Sequence, residues 1–367
     1  MNVRHILAPL VLAVAVAGPA RAVAPDDQAR FLAGLPVDGS LLQTLSTHPA
    51  WRRHAAEFDK AWSGIERRQL DKIDDWVGDA LGGAATSREP LFYMFSGPDL
   101  LYAYSFFSDA STYVFCGLEP PGPIPDVATI QDRDLDAALS GLRHSLNSVL
   151  SFSFFITKDL KSDLAATRLT GCIPPLLVFL ARLGLRVESV SHVGLSNDGS
   201  LTDKDPSIPG AKIIFSKNGL PSQTLYYFST DLSDSGIAAK PGLLRFCDRL
   251  GPGNAFIKAA SYLMHREHFS RVRSFLLTHA TTIVQDDSGI PIRRFAEEQW
   301  DFLCAGRYPG PIKLFENYYQ PDLRALFSKG DPEPIDFSFG YRWRPTESSV
   351  IVAKAIQVAP RAIPVVQ

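Results

Sequence analysis

Cysteine is scarce in this 367-residue chain: there are four, Cys116, Cys172, Cys247 and Cys304, and no CxxC pair among them. That absence removes the thiolate zinc and thioredoxin-type arrangements. An excess of positive charge is missing as well. The 37 Lys+Arg against 39 Asp+Glu leave a net charge of −2 at pH 7, which argues against a nucleic-acid partner. Beyond residue 24, polar or charged residues interrupt every apolar stretch within about 15 positions, too soon for the roughly 20 apolar residues of a membrane span. The G-x-S-x-G nucleophile elbow, the HExxH and HxxEH zinc patterns and the EF-hand loop are all absent. No spacing in the chain dictates a chemistry.

What is present begins at the N-terminus. Arg4 and His5 precede an apolar run from Ile6 to Ala17 and the small-residue pattern Ala20-Arg21-Ala22. Residues 1–24 therefore read as a signal peptide and predict an exported, periplasmic or extracellular protein with no integral membrane segment after cleavage. The even cysteine count fits an oxidising compartment and one disulfide. Cys116 and Cys247, each in an apolar context, would serve equally as buried small hydrophobes. At 46% apolar, 21% charged and 11% aromatic, the composition is that of an ordinary globular protein.

The periodicity predicts an α+β (mixed α/β) fold, with a helical N-terminal segment followed by one large mixed domain in which two eroded structural repeats are an option. The segments are 25–88 (helical), 89–205 (first α/β half), 206–295 (second α/β half), 296–356 (helices and a β-hairpin) and 357–367 (tail). Trp51, Phe58, Trp62, Ile65, Ile73 and Trp76 form a helical stripe best read as core. Strands are expected at 91–95, 112–116, 186–193, 211–215, 224–228, 281–284, 290–294, 336–343 and 349–356. Helices are expected at 100–107, from 132 toward 155, at 158–168, 172–183, 243–250, 255–277 and 294–304, and near 321–327. Thr112–Phe115 resembles Leu225–Phe228, and Ser196–Gly199 resembles Asp286–Gly289, which is the basis of the repeat.

Few residues could carry chemistry. Ser96, Gly97 and Asp99 lie in a turn between a strand and a helix, where free N–H groups could hold a polar ligand; an S-x-x-D capping box explains them equally well. Gly253 and Asn254 precede a predicted helix in the same way. His265, Glu267 and His268 form the one acid/base cluster; a helix would put His265 and His268 on one face, three residues apart, where they could share a metal or act as base and partner, against the simpler reading of a solvated face. Asp231, Asp234, Asp286 and Asp287 occupy turns with only a faint calcium signature. Glu119, Tyr308, Tyr318 and Tyr319 could line a carbohydrate cleft.

The phrase Phe95-Ser-Gly-Pro-Asp-Leu-Leu-Tyr-Ala, followed by Phe106-Phe107 and Ser-Thr-Tyr-Val-Phe-Cys-Gly-Leu-Glu-Pro, resembles a family of exported bacterial proteins known as a domain of unknown function. The resemblance spans about 35 residues and implies export but no activity. The leading expectation is binding of a small polar ligand or an envelope component, with no cofactor and no metal. The alternatives are a hydrolase acting on an envelope or nutrient polymer through His265, Glu267 and His268, and a structural partner-binding protein.

Overall fold

The computed structural model describes residues 23–152 and 169–356. The leader through residue 22, the helix expected at 158–168 and the tail 357–367 lie outside the described residues.

The N-terminal segment is helical, as its stripe predicts: α1 (Pro25–Leu32), α2 (Gln43–Ser46), α3 (Pro49–Ile65) and α4 (Asp71–Ala80). Trp51, Phe58, Trp62, Ile65 and Ile73 are buried. A π turn, Glu66–Leu70, joins α3 to α4. Its cause is visible in the sequence, because the buried positions Ile65, Gln69, Ile73 and Val77 advance in steps of four. A helix of 3.6 residues per turn would carry such a stripe around its axis, and one wider turn restores it to the core face.

The remaining helices are α5 (Leu100–Phe106), α6 (Asp132–Phe152), α7 (Ile173–Arg182), α8 (Asp234–Ala239), α9 (Gly242–Leu250), α10 (Ser270–His279) and α11 (Pro321–Lys329). The strands are β1 (Leu91–Tyr93), β2 (Thr112–Gly117), β3 (Arg186–Leu195), β4 (Leu201–Thr202), β5 (Ile208–Ser216), β6 (Gln223–Ser229), β7 (Gly253–Ile257), β8 (Ala280–Gln285), β9 (Trp300–Gly306) and β10 (Ser349–Ala355). They form one ten-stranded sheet in the order β4-β3-β5-β6-β2-β1-β7-β8-β10-β9. The central run β6-β2-β1-β7-β8 is parallel, and the flanking pairs are antiparallel.

Alternate side chains of the central strands enter two separate cores. Leu91, Tyr93, Tyr113 and Phe115 join the N-terminal helices and α5–α7 on one face. Phe92, Val114, Cys116 and Ile257 meet α8, α9 and α10 on the other. A parallel sheet covered on both sides is the arrangement such strands require, since βαβ crossovers place a helix over each face.

The structure corrects several expectations. Residues 255–277 are not one helix: Gly253–Ile257 is the fully buried central strand β7 and only Ser270–His279 is α-helical. A strand buried on both faces shows no alternation, and a short apolar run cannot be told from a buried helix by period alone. The helix expected at 294–304 is replaced by β9, which pairs with β10 along its whole length; tertiary pairing outweighed local preference. Residues 290–294 and 336–343 are not strands. In the latter, Phe337 and Phe339 do alternate into the core, but Gln69 and Ser348, rather than a neighbouring strand, satisfy the backbone N–H groups of Ser338 and Phe339.

The fold gives no clear support to the repeat. The two look-alike segments are adjacent parallel strands, Tyr113 beside Leu225, and their look-alike turns differ in role. Ser196–Gly199 links the antiparallel pair β3 and β4, whereas Asp286–Gly289 follows a strand of the parallel core. Strands of 89–205 and of 206–295 interleave in one sheet.

All four cysteines are free thiols. Alkylation of the denatured, unreduced protein should therefore label four thiols; a product two labels short, restored by reductant, would establish a disulfide. The description of the chain as a secreted periplasmic protein with a signal peptide is corrected at the same point. The segment that carried it lies outside the described residues, the thiols that an oxidising compartment would allow to pair are unpaired, and nothing in the fold speaks for secretion. What stands is that no described helix is long and apolar enough to cross a membrane.

Candidate functional site

Topology singles out one place on the sheet. The chain leaves β1 into α5 on the first face and leaves β7 into α10 on the second, yet β1 and β7 are adjacent and parallel. Connections that diverge to opposite faces open a crevice at the carboxyl ends of the two strands, the topological switch point where open α/β sheets bind ligands. A cavity of about 240 Å³ lies there.

Its floor is built by residues that immediately follow the strands. Beyond β1 the chain turns sharply: Phe95 has φ 63° and Gly97 φ 52°. Ser96 extends the β1–β2 ladder. Its N–H donates to the Cys116 carbonyl at 2.8 Å, and its hydroxyl accepts the Cys116 N–H at 3.1 Å while donating to the same carbonyl at 3.2 Å. The Ser96 hydroxyl is thus occupied by backbone, which suits a structural anchor and not a nucleophile. The expected Ser96 capping box does not form; Asp99 itself caps α5, its Oδ1 accepting the Tyr102 N–H at 3.4 Å.

The other Asp99 oxygen carries the site. Oδ2 accepts the Tyr93 hydroxyl at 2.9 Å and the Lys258 ammonium at 2.7 Å. Lys258 is the first residue after β7, so the pair spans the crevice between the two diverging strands. Its side chains are only 1% and 3% exposed, Lys258 and Asp99 respectively. The ammonium also lies 3.6 Å from the centroid of the Tyr102 ring, a cation–π contact strengthened by exclusion of water. Burial lowers the Lys258 pKa, against the opposing pull of Asp99, and raises that of Tyr93.

Lys258 is held by a strained loop. Ala259, Ser261 and Tyr262 all have positive φ, 51°, 51° and 54°, a conformation that L-residues adopt only when their surroundings over-determine it. The surroundings do so. Asp286 accepts the Ala259 N–H at 3.3 Å, Ser288 Oγ accepts the Ala260 N–H at 2.8 Å, and the Tyr341 hydroxyl accepts the Ser261 N–H at 2.9 Å while donating to the Ala259 carbonyl at 2.7 Å. The Tyr262 hydroxyl donates to Asp287. Burial raises the pKa of both Asp286 and Asp287, and the charge of Asp286 raises that of Asp287 further.

The lining mixes polar and apolar groups: Glu119, Thr230 and Asp231 contribute to it together with Leu118, Leu263 and Phe269. Cys116 also lines the cavity, but burial pushes its thiol pKa up to about 12, so it is a packed hydrophobe and not an activated nucleophile.

Of the residues expected to bind ligand, Ser96, Gly97 and Asp99 line this cavity, as do Glu119 and Asp231. Gly253 and Asn254 do not. They begin β7 at the opposite end of the strand, where the Asn254 N–H donates to the Pro90 carbonyl at 2.7 Å; among the described residues the Asn254 Nδ2 finds no partner. A Cβ on Gly253 would stand 2.3 Å from that same carbonyl, so glycine is there for close packing.

The acid/base cluster does not assemble. His265 and His268 lie in separate 3-10 turns, Leu263–His265 and Glu267–Phe269, and share no helical face. His265 is buried beside Tyr262 and Tyr318, with its pKa lowered to about 4, chiefly by desolvation. Glu267 is 80% exposed and paired with Arg294, and His268 is exposed. Among the described residues no three His, Cys, Asp or Glu are placed to hold a metal ion. The faint calcium set is accounted for by turn and cap bonds: Asp231 accepts the Ser233 N–H, and Asp234 the Arg271 N–H. Tyr308 is buried outside the cavity against Tyr319 and Phe327, and Tyr318 packs on Tyr262.

Sequence reasoning missed Lys258 and Tyr341. The signal for Lys258 was there: a basic residue closing the apolar run Ala-Phe-Ile after Gly253. Read as a buried strand, that run puts the lysine at the carboxyl end of the sheet. Comparison with known protein families, with curated proteins and with solved structures yields no match.

Proposed function

We propose that this protein binds a small polar ligand in the cavity at the carboxyl ends of β1 and β7. The observation that carries the reading is the coincidence of three features at the topological switch point: a cavity, a buried Lys258–Asp99 pair in its wall, and a strained loop whose conformation places the lysine. Buried charges and strain both cost stability, and each concentrates at sites of function.

The lining also narrows the ligand. One lysine faces three carboxylates, Asp99, Glu119 and Asp231, and the lysine already has its counter-ion at 2.7 Å. An anion would compete with Asp99 and be repelled at the rim, so a neutral or cationic polar molecule with a small apolar face fits best. The volume of about 240 Å³ suits a small molecule, since a cavity of about 150 Å³ already holds benzene. The hydrolase reading loses its acid/base groups, which the fold scatters.

The test is a thermal-shift and calorimetric screen of small polyols, hydroxyaldehydes, hydroxyketones, amines and carboxylates. Thr230→Trp, which fills the cavity from its half-buried rim, serves as control. At least one neutral or cationic probe is expected to raise Tm saturably in the native protein and to bind at least about tenfold more weakly to the variant, equivalent to about 1.4 kcal/mol. Absence of any saturable shift, or a shift that survives Thr230→Trp, would overturn the proposal.

A further inference from the structure

We infer that Lys258 forms a covalent imine with the carbonyl carbon of a small neutral hydroxyaldehyde or hydroxyketone in this cavity. The inference rests on the ligand-binding reading above and adds a bond to it.

Four observations lead there. Lys258 lines the cavity, and it is buried to a degree that lysines seldom are, because a long flexible ammonium is costly to desolvate. Its partner Asp99, at 2.7 Å, is a carboxylate placed to take the ammonium proton and return it. Burial also lowers the lysine's pKa, which eases that transfer. Finally, the one-lysine, three-carboxylate lining disfavours anions, leaving a neutral electrophile as the ligand an amine here can engage.

The step balances. Asp99 accepts a proton from the Lys258 ammonium, and the freed amine lone pair attacks the carbonyl carbon as the carbonyl π pair moves to oxygen. Asp99 returns its proton to that oxygen and takes one from nitrogen, giving a neutral carbinolamine. It then protonates the hydroxyl, the C–O bond breaks, and water leaves. The sum is ammonium plus carbonyl giving iminium plus water, with one positive charge on each side. The cation is retained at the same nitrogen. The Asp99 contact and the Tyr102 ring at 3.6 Å, which hold the ammonium, therefore hold the iminium too, so the reaction forfeits neither interaction. Glu119, Thr230 and Asp231 at the rim supply acceptors and a donor for the ligand's hydroxyls.

The experiment incubates the full-length protein with dihydroxyacetone or glyceraldehyde, traps with borohydride, and reads intact mass and peptide maps alongside calorimetric binding of the same probe. The expected result is one reduced adduct, on Lys258, saturating with probe and forming at least tenfold faster than adducts on surface lysines. Asp99→Asn, which keeps the side chain's size and one acceptor oxygen but cannot carry the proton, should slow it at least tenfold, and Lys258→Arg should abolish it. If the probe binds but Lys258 carries no preferential adduct, the imine is overturned while ligand binding stands. If the probe neither binds nor reacts, the imine with this class of carbonyl is overturned, and the wider screen decides the binding reading. An adduct on Lys258 that forms at the same rate in Asp99→Asn overturns the role of Asp99 as proton carrier.

Discussion

Asp99→Ala is expected to cost about 3–5 kcal/mol of folding free energy, the range for removing one partner of a buried ion pair. Three groups lose their acceptor at once. The Lys258 ammonium, 1% exposed, would be left without its 2.7 Å carboxylate; the Tyr93 hydroxyl would lose its bond; and α5 would lose its cap. The penalty arises mostly from the stranded lysine. Combining Asp99→Ala with Lys258→Met should therefore recover a large part of the loss, since both charges then go together. Urea denaturation of the native protein, both single variants and the double variant checks this. A cost below about 1 kcal/mol for Asp99→Ala, a value typical of solvated pairs, would mean that the pair is not sealed from water.

The second large effect concerns pH. Asp286 and Asp287 are buried next to one another behind the strained loop, and burial raises both pKa values above the ordinary carboxyl value. A group with a raised folded pKa adds stability that is complete below its unfolded value of about 4 and is lost as pH climbs through the folded value. His54 and His265 work in the opposite sense. Desolvation lowers each to about 4, so their contribution is complete above about 6.5 and is lost as pH falls toward 4. The two pairs therefore act over the same range, from about pH 4 to 7, with opposite slopes, and largely offset one another in the native protein.

Asp287→Asn exposes the acid contribution, because the amide mimics the protonated acid and its oxygen can still accept the Tyr262 hydroxyl. Relative to the native protein, Asp287→Asn should gain stability steadily from pH 5 to pH 8. The gain should reach at least about 1.4 kcal/mol, the equivalent of a single pKa unit. Denaturation curves at four pH values are enough. A difference that does not change with pH would show that Asp287 titrates as an ordinary carboxyl. Because Asp286 holds the Ala259 N–H, ionisation of the acid pair also bears on the loop that places Lys258.

The local features of this protein were readable one residue at a time. The tryptophan stripe of α3 and α4, the hairpin β5–β6, the proline-led start of α7 and the turn from Ser96 to Asp99 each depend on neighbours within a few positions, where periodicity, capping and turn chemistry act. The turn was recognised as a place for a ligand, and it does line the cavity. Its partner was not. β7 is apolar on both faces because two helical layers bury it, and that double burial erased the alternation by which a strand announces itself.

With β7 read as the start of a helix, Lys258 becomes one more helical lysine, and His265 and His268 gain a common face they do not have. The pairing of β1 with β7 joins residues more than 160 positions apart: Leu91 lies beside Asn254. Such contacts follow from the global order of strands and leave no local trace. The sequence alone thus determined the mixed α/β class, the N-terminal helices and one wall of the site. Only the tertiary structure decided that Asp99 faces Lys258 across a switch point, because strand order and the desolvation of a charge are properties of the assembled sheet.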